Sequence, residues 1–182
     1  MVDQLVEMRT VWKAQGKHEL YMRIGMNTGP MVIGNMGSKT RMDYTMMGDS
    51  VNLAARLEGV NKQYKTETMI SEFTFAKVNG DIETRELDRI RVMGKKEPVK
   101  IYEVLGRKGE INPQIGAILP LFNQGVKYYS NRKWDEALAC FEKVLRIREE
   151  DGPSSTYRLR CKDYQFQPPP DDWDGVYEML SK

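Results

Sequence analysis

The chain has 182 residues, 28 of them basic and 26 acidic, for a formal charge of +2. That length suits one ordinary domain plus a smaller appendage, and so even a charge leaves no electrostatic ground for nucleic acid or an anionic membrane as a partner. Two distant cysteines, Cys140 and Cys161, exclude a disulfide framework and read as small buried thiols, and the single histidine, His18, lies in a polar run that excludes a histidine triad or histidine metal site. Val2, Leu5, Met8 and Trp12 recur at helical spacing until Gly16, and Glu19 to Asn27 then alternates as a strand. Thr28-Gly29-Pro30 is turn chemistry, so Met31-Val32-Ile33 is expected to return as the second arm of a hairpin, with a loop from Gly34 to Met42 after it. Asp43 to Met47 reads as a short strand that leads through Gly48 into a helix capped by Asp49 or Ser50. Thr68-Met69-Ile70 is another strand, Glu72 to Val78 a short helix, and Glu83 to Val92 with Val99 to Val104 an antiparallel pair.

The composition changes after Gly109. Residues 108–116 read as a linker, and residues 117–182 as an all-α extension. In it Leu121, Gly125, Tyr128, Ala137 and Phe141 match much of the tetratricopeptide pattern, a helix pair with small residues where it crosses. One such repeat does not bury its apolar face alone, so it leans on the preceding unit, on the chain beyond it or on a partner. Pro168-Pro169-Pro170 forces an extended stretch before a last short helix from Trp173 to Leu180. No stretch reaches the roughly 18 apolar residues of a spanning helix, and no secretory signal opens the chain, which reads as cytoplasmic. The 12 methionines fall mainly at strand and helix core positions and read as adaptable packing.

The most informative segment is Asp49-Ser50-Val51-Asn52-Leu53-Ala54-Ala55-Arg56-Leu57-Glu58. Asn52 and Arg56 stand one helical turn apart on one face, a carboxamide beside a permanent cation, suited to orienting a sugar and neutralising a phosphate. Val51, Leu53, Ala54, Leu57, Val60 and Tyr64 mostly form another stripe that would bury against a sheet. Gly34 to Thr40 is not a phosphate loop, because Ser38 stands where that motif needs glycine before Lys39.

Together Arg23 to Pro30, Gly34-Asn35-Met36-Gly37-Ser38, Arg41 to Glu58, Val92-Met93-Gly94-Lys95 and Val99 to Glu103 closely resemble the class III adenylate/guanylate cyclase catalytic domain. The resemblance implies an α/β fold of the ferredoxin-like nucleotidyl cyclase kind over residues 1–107, N-terminally truncated, with the helical extension behind it. It also implies cyclisation of a nucleoside triphosphate, in which the ribose 3′-hydroxyl attacks the α-phosphorus and diphosphate leaves. Asn52 matches the residue that orients the ribose and Arg56 the one that stabilises the α-phosphate. Lys95 matches the lysine that grips the triphosphate, assisted by Arg41. Thr45 falls where the purine is read and favours ATP, since a hydroxyl accepts from the adenine amino group; guanylate cyclase stays open as an alternative.

The family's two metal-binding aspartates belong to strands that would precede residue 1, so Mg2+ or Mn2+, two ions, are expected on ligands upstream. The chain alone is then expected to be inactive. A second cyclase domain, most simply in a homodimer, is the implied partner besides ATP, with a protein partner for the helical tail. The tail is similar to the segment behind the catalytic domain in bacterial sensor cyclases, which makes the full-length protein membrane-anchored by resemblance. The alternative from another class is a catalytically inactive, cyclase-like interaction module.

Overall fold

The computed structural model describes residues 2–78, 80–91 and 97–178. It is a mixed α+β fold with six helices and two sheets among those residues. Helix α1 (Val2–Ala14) ends where Gly16 takes φ +65°, the left-handed conformation that glycine adopts without a Cβ penalty. Strand β1 (Ile24–Met26) comes next, then β2 (Val32–Ser38), β3 (Arg41–Met47), helix α2 (Asp49–Tyr64), β4 (Thr68–Ser71) and helix α3 (Glu72–Val78). The long strands β5 (Ile82–Arg91) and β6 (Val99–Arg107) complete the first unit. Helices α4 (Pro113–Ser130), α5 (Trp134–Ile147) and α6 (Gly152–Phe166) form the second part, and a two-residue strand, β7 (Tyr177–Glu178), closes the described chain.

The larger sheet runs β1-β4-β6-β5-β7. β1 and β4 are parallel, β4, β6 and β5 antiparallel, and β7 lies parallel to β5. β2 and β3 form a separate antiparallel hairpin. Helix α2 packs its Leu53, Leu57, Val60 and Tyr64 stripe into the core, each such side chain contributing about 1.5–3 kcal/mol. That core continues through Met69, Leu87 and Ile101 of the sheet into Ile118, Phe122, Phe141 and Tyr157 of the helices. The helical extension thus leans on the sheet unit and shares its core. Where α4 crosses α5, a Cβ on Gly125 would come 2.8 Å from the Phe141 ring, so any larger residue there would have to displace that buried ring.

Several expectations are corrected. The hairpin joins β2 to β3 rather than β1 to β2, because β1 pairs with β4 as the parallel partner of a later strand. Residues 34–42, expected as a loop, are the ends of β2 and β3 around a tight turn, in which the Ser38 hydroxyl accepts from the Arg41 amide at 3.2 Å. Gly48, at φ +146° and ψ 162°, caps α2 without a side-chain bond; Asp49 and Ser50 lie inside its first turn. Helix α4 starts at Pro113, inside the stretch read as a linker, since Asn112 caps it by accepting from the Gln114 amide at 2.8 Å and proline suits a helix's first turn. The final stretch from Trp173 is not a helix through residue 178: Gly175 takes φ +79° and Tyr177 pairs with Ile90. The methionines are mostly exposed, Met69 being the fully buried one among the described residues, because the hairpin that carries several of them projects from the core. Cys140 and Cys161 are free and buried, and His18 is an exposed loop residue.

Candidate functional site

Within the segment from Arg23 to Glu58 strand β1 is laid against helix α2, and Gly25 permits that contact. A Cβ on Gly25 would stand 2.4 Å from the Ala54 carbonyl oxygen and 2.3 Å from the Glu58 amide nitrogen. β1 therefore touches the backbone of α2 directly. Asn61, buried in α2, donates to the Ile24 carbonyl at 2.9 Å and to its own Leu57 carbonyl at 3.1 Å, and accepts from Thr66 at 2.8 Å. Arg23 pairs with Glu58 at 2.8 Å on the surface above this contact.

At the other end Asn27 ties three elements together. Its amide donates to the Ser50 carbonyl in the first turn of α2 at 3.0 Å, and its oxygen accepts from the Ser71 hydroxyl at the end of β4 at 2.6 Å. Gly29 lies so near Ser50 that a Cβ would meet its hydroxyl oxygen at 2.2 Å. Around this junction Asn27, Gly29, Pro30, Asp49, Ser50, Leu53 and Phe73 line a cavity of about 190 Å3. The motif residues Asn27 and Gly29 have a job that periodicity did not assign: they hold the start of α2 to two strand ends.

Held this way, α2 presents Asn52 exposed and Arg56 half-buried, one turn apart. Among the described residues neither side chain makes a hydrogen bond or an ion pair, so both are open to a ligand. Thr45 is exposed on β3 opposite Gly34. Arg41, at the tip of the same hairpin, has an 85% exposed side chain with only a 3.8 Å contact to Asp43. Asn52 and Arg56 are thus brought together on one helix, whereas Thr45 and Arg41 stand on the projecting hairpin. Lys95 lies outside the described residues. No cluster of three or more His, Cys, Asp or Glu side chains is placed to hold a metal ion among the described residues.

The geometry has a counterpart among known proteins. Residues 1–106 match the family described as the adenylate and guanylate cyclase catalytic domain, and the chain belongs to that family. It is 36% identical over 142 residues to the terminal-differentiation specific adenylate cyclase of Dictyostelium discoideum, a match that covers 76% of this chain and 7% of that protein. The crystal structure of the adenylyl cyclase CyaB from P. aeruginosa superposes with a TM-score of 0.51 at 36% identity, over 60% of this chain and 56% of that one. Soluble guanylate cyclase 89Da of Drosophila melanogaster is also related, 29% identical over 104 residues that cover 56% of this chain and 15% of that protein. The chain therefore spans a small fraction of the length of these two full-length relatives, and both nucleotide specificities occur among them.

Proposed function

We propose that this chain is the substrate-reading half of an adenylate cyclase, which converts ATP to cyclic AMP and diphosphate. The observation that carries the reading is the pair Asn52 and Arg56, unpartnered among the described residues and held on a helix that is fixed to the sheet at both ends. In the reaction the 3′-oxygen forms a bond to the α-phosphorus, the bond from that phosphorus to the oxygen bridging to the β-phosphate breaks, and the 3′-proton departs. Little covalent help is needed; position and charge stabilisation dominate. Asn52 orients the ribose, Arg56 stabilises charge on the α-phosphate oxygens, Thr45 accepts from the adenine amino group, and Lys95 with Arg41 holds the triphosphate.

Among the described residues no group of three or more His, Cys, Asp or Glu is placed to hold a metal ion, and in this reading Mg2+ or Mn2+ sits on carboxylates of another segment or domain. A second cyclase domain fits this requirement. Exposed apolar side chains on the hairpin, Val32, Ile33, Tyr44 and Met46 among them, and on α1, Val6 and Val11, support a covering partner. The 182 residues alone are then inactive. The crossing of α4 and α5 at Gly125 supports a tetratricopeptide-like tail; a protein partner for that tail is part of the proposal. No described helix is long and apolar enough to cross a membrane; a cytoplasmic position, with any anchor elsewhere in the full-length protein, is part of the proposal.

The test is cyclic nucleotide formation by the intact protein that carries this chain, with ATP and with GTP, in Mg2+ or Mn2+. Cyclic AMP as the main product supports the reading, and cyclic GMP in its place makes the protein a guanylate cyclase. Absence of both, together with no rise in melting temperature on adding ATP, leaves the interaction-module alternative.

A further inference from the structure

The helical tail is fastened to the far end of the helix that bears Asn52 and Arg56. Gly152 opens α6 against the last turn of α2, where a Cβ would come 2.2 Å from the Tyr64 carbonyl oxygen. The Thr156 hydroxyl donates to the Gln63 carbonyl at 2.8 Å. One turn on, Arg160 donates to the Tyr64 hydroxyl at 3.0 Å and to Asp88 Oδ2 at 2.6 Å, while Tyr64 donates to the same carboxylate oxygen at 2.6 Å. All three side chains are buried. The Tyr177 ring of β7 closes the guanidinium's remaining face at 3.4 Å. A register shift in β5 between Glu86 and Asp88 aims this strand at the tail, and there the Leu87 carbonyl accepts from the Tyr157 hydroxyl at 2.8 Å.

Burying an ion pair adds little net stability, because desolvation offsets the attraction. What this one supplies is position. Two donors, Tyr64 of α2 and Arg160 of α6, converge on one carboxylate oxygen of β5, and Arg160 also holds the phenol, which fixes the C-terminal end of α2 against both β5 and α6. Arg56 lies eight residues before Tyr64, about 12 Å along a rigid rod at 1.5 Å per residue, so a displacement at the tail is carried to the site.

We infer that Arg160 is a positioning residue: by locking Tyr64 to Asp88 from the tail, it sets the height and rotation of α2 and hence where Asn52 and Arg56 stand. The inference rests on the proposed roles of those two residues. It makes α6 part of the catalytic unit rather than a mere appendage to it.

The experiment compares Arg160→Lys and Thr156→Val with the parent in the intact protein, reading amide hydrogen exchange in α2 and α5 and the kcat and KM for ATP. Lysine keeps the charge but lacks the planar fork that reaches both acceptors, and valine removes one hydroxyl without stranding a buried ion. Exchange across residues 52–58 is expected to speed about fivefold or more in Arg160→Lys with α5 unchanged, and kcat to fall about tenfold while KM stays within about twofold. Thr156→Val moves both in the same direction by less. Unchanged exchange in α2, equal loosening of α2 and α5, or a rise in KM at constant kcat overturns the inference. Should Arg160→Lys not fold, Thr156→Val decides by the same readings. If the parent forms no cyclic nucleotide while α2 still loosens selectively, the coupling stands and the cyclase reading falls.

Discussion

Gly25 is the position at which a single added carbon tests how α2 is seated. In Gly25→Ala the new Cβ would meet the Ala54 carbonyl oxygen at 2.4 Å, the Glu58 nitrogen at 2.3 Å and the Leu57 carbonyl carbon at 2.8 Å. All three are backbone atoms of α2, so no rotamer change relieves the clash. Restoring ordinary contact at roughly 3.5 Å needs the helix to retreat by about 1 Å, and overpacking of this kind costs about 1–3 kcal/mol. At a typical urea m-value of about 2 kcal/mol per molar, the unfolding midpoint should drop by about 1 M. A shift of that size at the reacting groups is also enough to lower kcat about a hundredfold. Gly59 provides the control on the same helix: it is exposed and a Cβ there meets nothing within 4 Å. Gly59→Ala should therefore raise the midpoint by about 0.5 M, from about 1 kcal/mol of helix propensity. A Gly25→Ala midpoint within about 0.2 M of the parent, with Gly59→Ala behaving as expected, would refute the direct contact of β1 with α2.

Arg56→Ala should cut kcat by about three to five powers of ten, the range for arginines that stabilise phosphoryl transfer, and Arg56→Lys should not restore it; full activity in either variant, measured as cyclic AMP release, removes Arg56 from the reaction. Gly125→Val should lower stability by about 1–3 kcal/mol in a thermal melt, since its side chain would press on the buried Phe141 ring 2.8 Å from the first carbon added, and an unchanged melt would mean that α4 and α5 do not cross there. Burial pushes the Cys161 thiol up to about 12 and raises Cys140 as well, so a thiol reagent at pH 8 should label neither quickly until the protein unfolds. The sign comes from linkage: a thiol in the unfolded chain ionises near its ordinary value while folded Cys161 holds its proton to about 12. Stability from this group is flat at neutral pH and is lost as pH rises above about 9. Rapid labelling of one equivalent in the native state would contradict the burial.

The elements that could be read from the sequence are those whose signal is local. α2 declared itself by an apolar stripe at Leu53, Leu57, Val60 and Tyr64 that is buried as expected, and β5 and β6 by long β-favouring runs. The misread stretch from Gly34 to Met42 contains Asn35, Gly37 and Ser38, poor strand formers that extend only because each strand supplies the other's hydrogen bonds. Its tight turn did leave a trace, a serine placed to bond the amide three residues on. The end of the chain failed for the converse reason. Trp173, Val176 and Tyr177 have a helix-like spacing, but their burial comes from α4, α6 and the edge of β5, which no window of neighbouring residues contains.

The candidate site divides along the same line. Asn52 and Arg56 were legible because both sit within one turn of a recognisable helix, where chemistry and spacing are adjacent in the chain. Gly25, Asn27 and Asn61 act across 23 to 44 residues, and their residue types also serve in ordinary turns, so sequence offered only the weak hint of a glycine inside a strand. Arg160 was more hidden still, since its partners Tyr64 and Asp88 lie 96 and 72 residues away. A side chain that touches substrate must be of one chemical type, and that restriction is visible in a motif. A side chain that holds the first in place needs only a partner of complementary type somewhere in the fold, and the pairing is decided by packing: the bulge in β5 and the glycine at the head of α6 choose Asp88 and Tyr64 for Arg160 from among many acids and phenols.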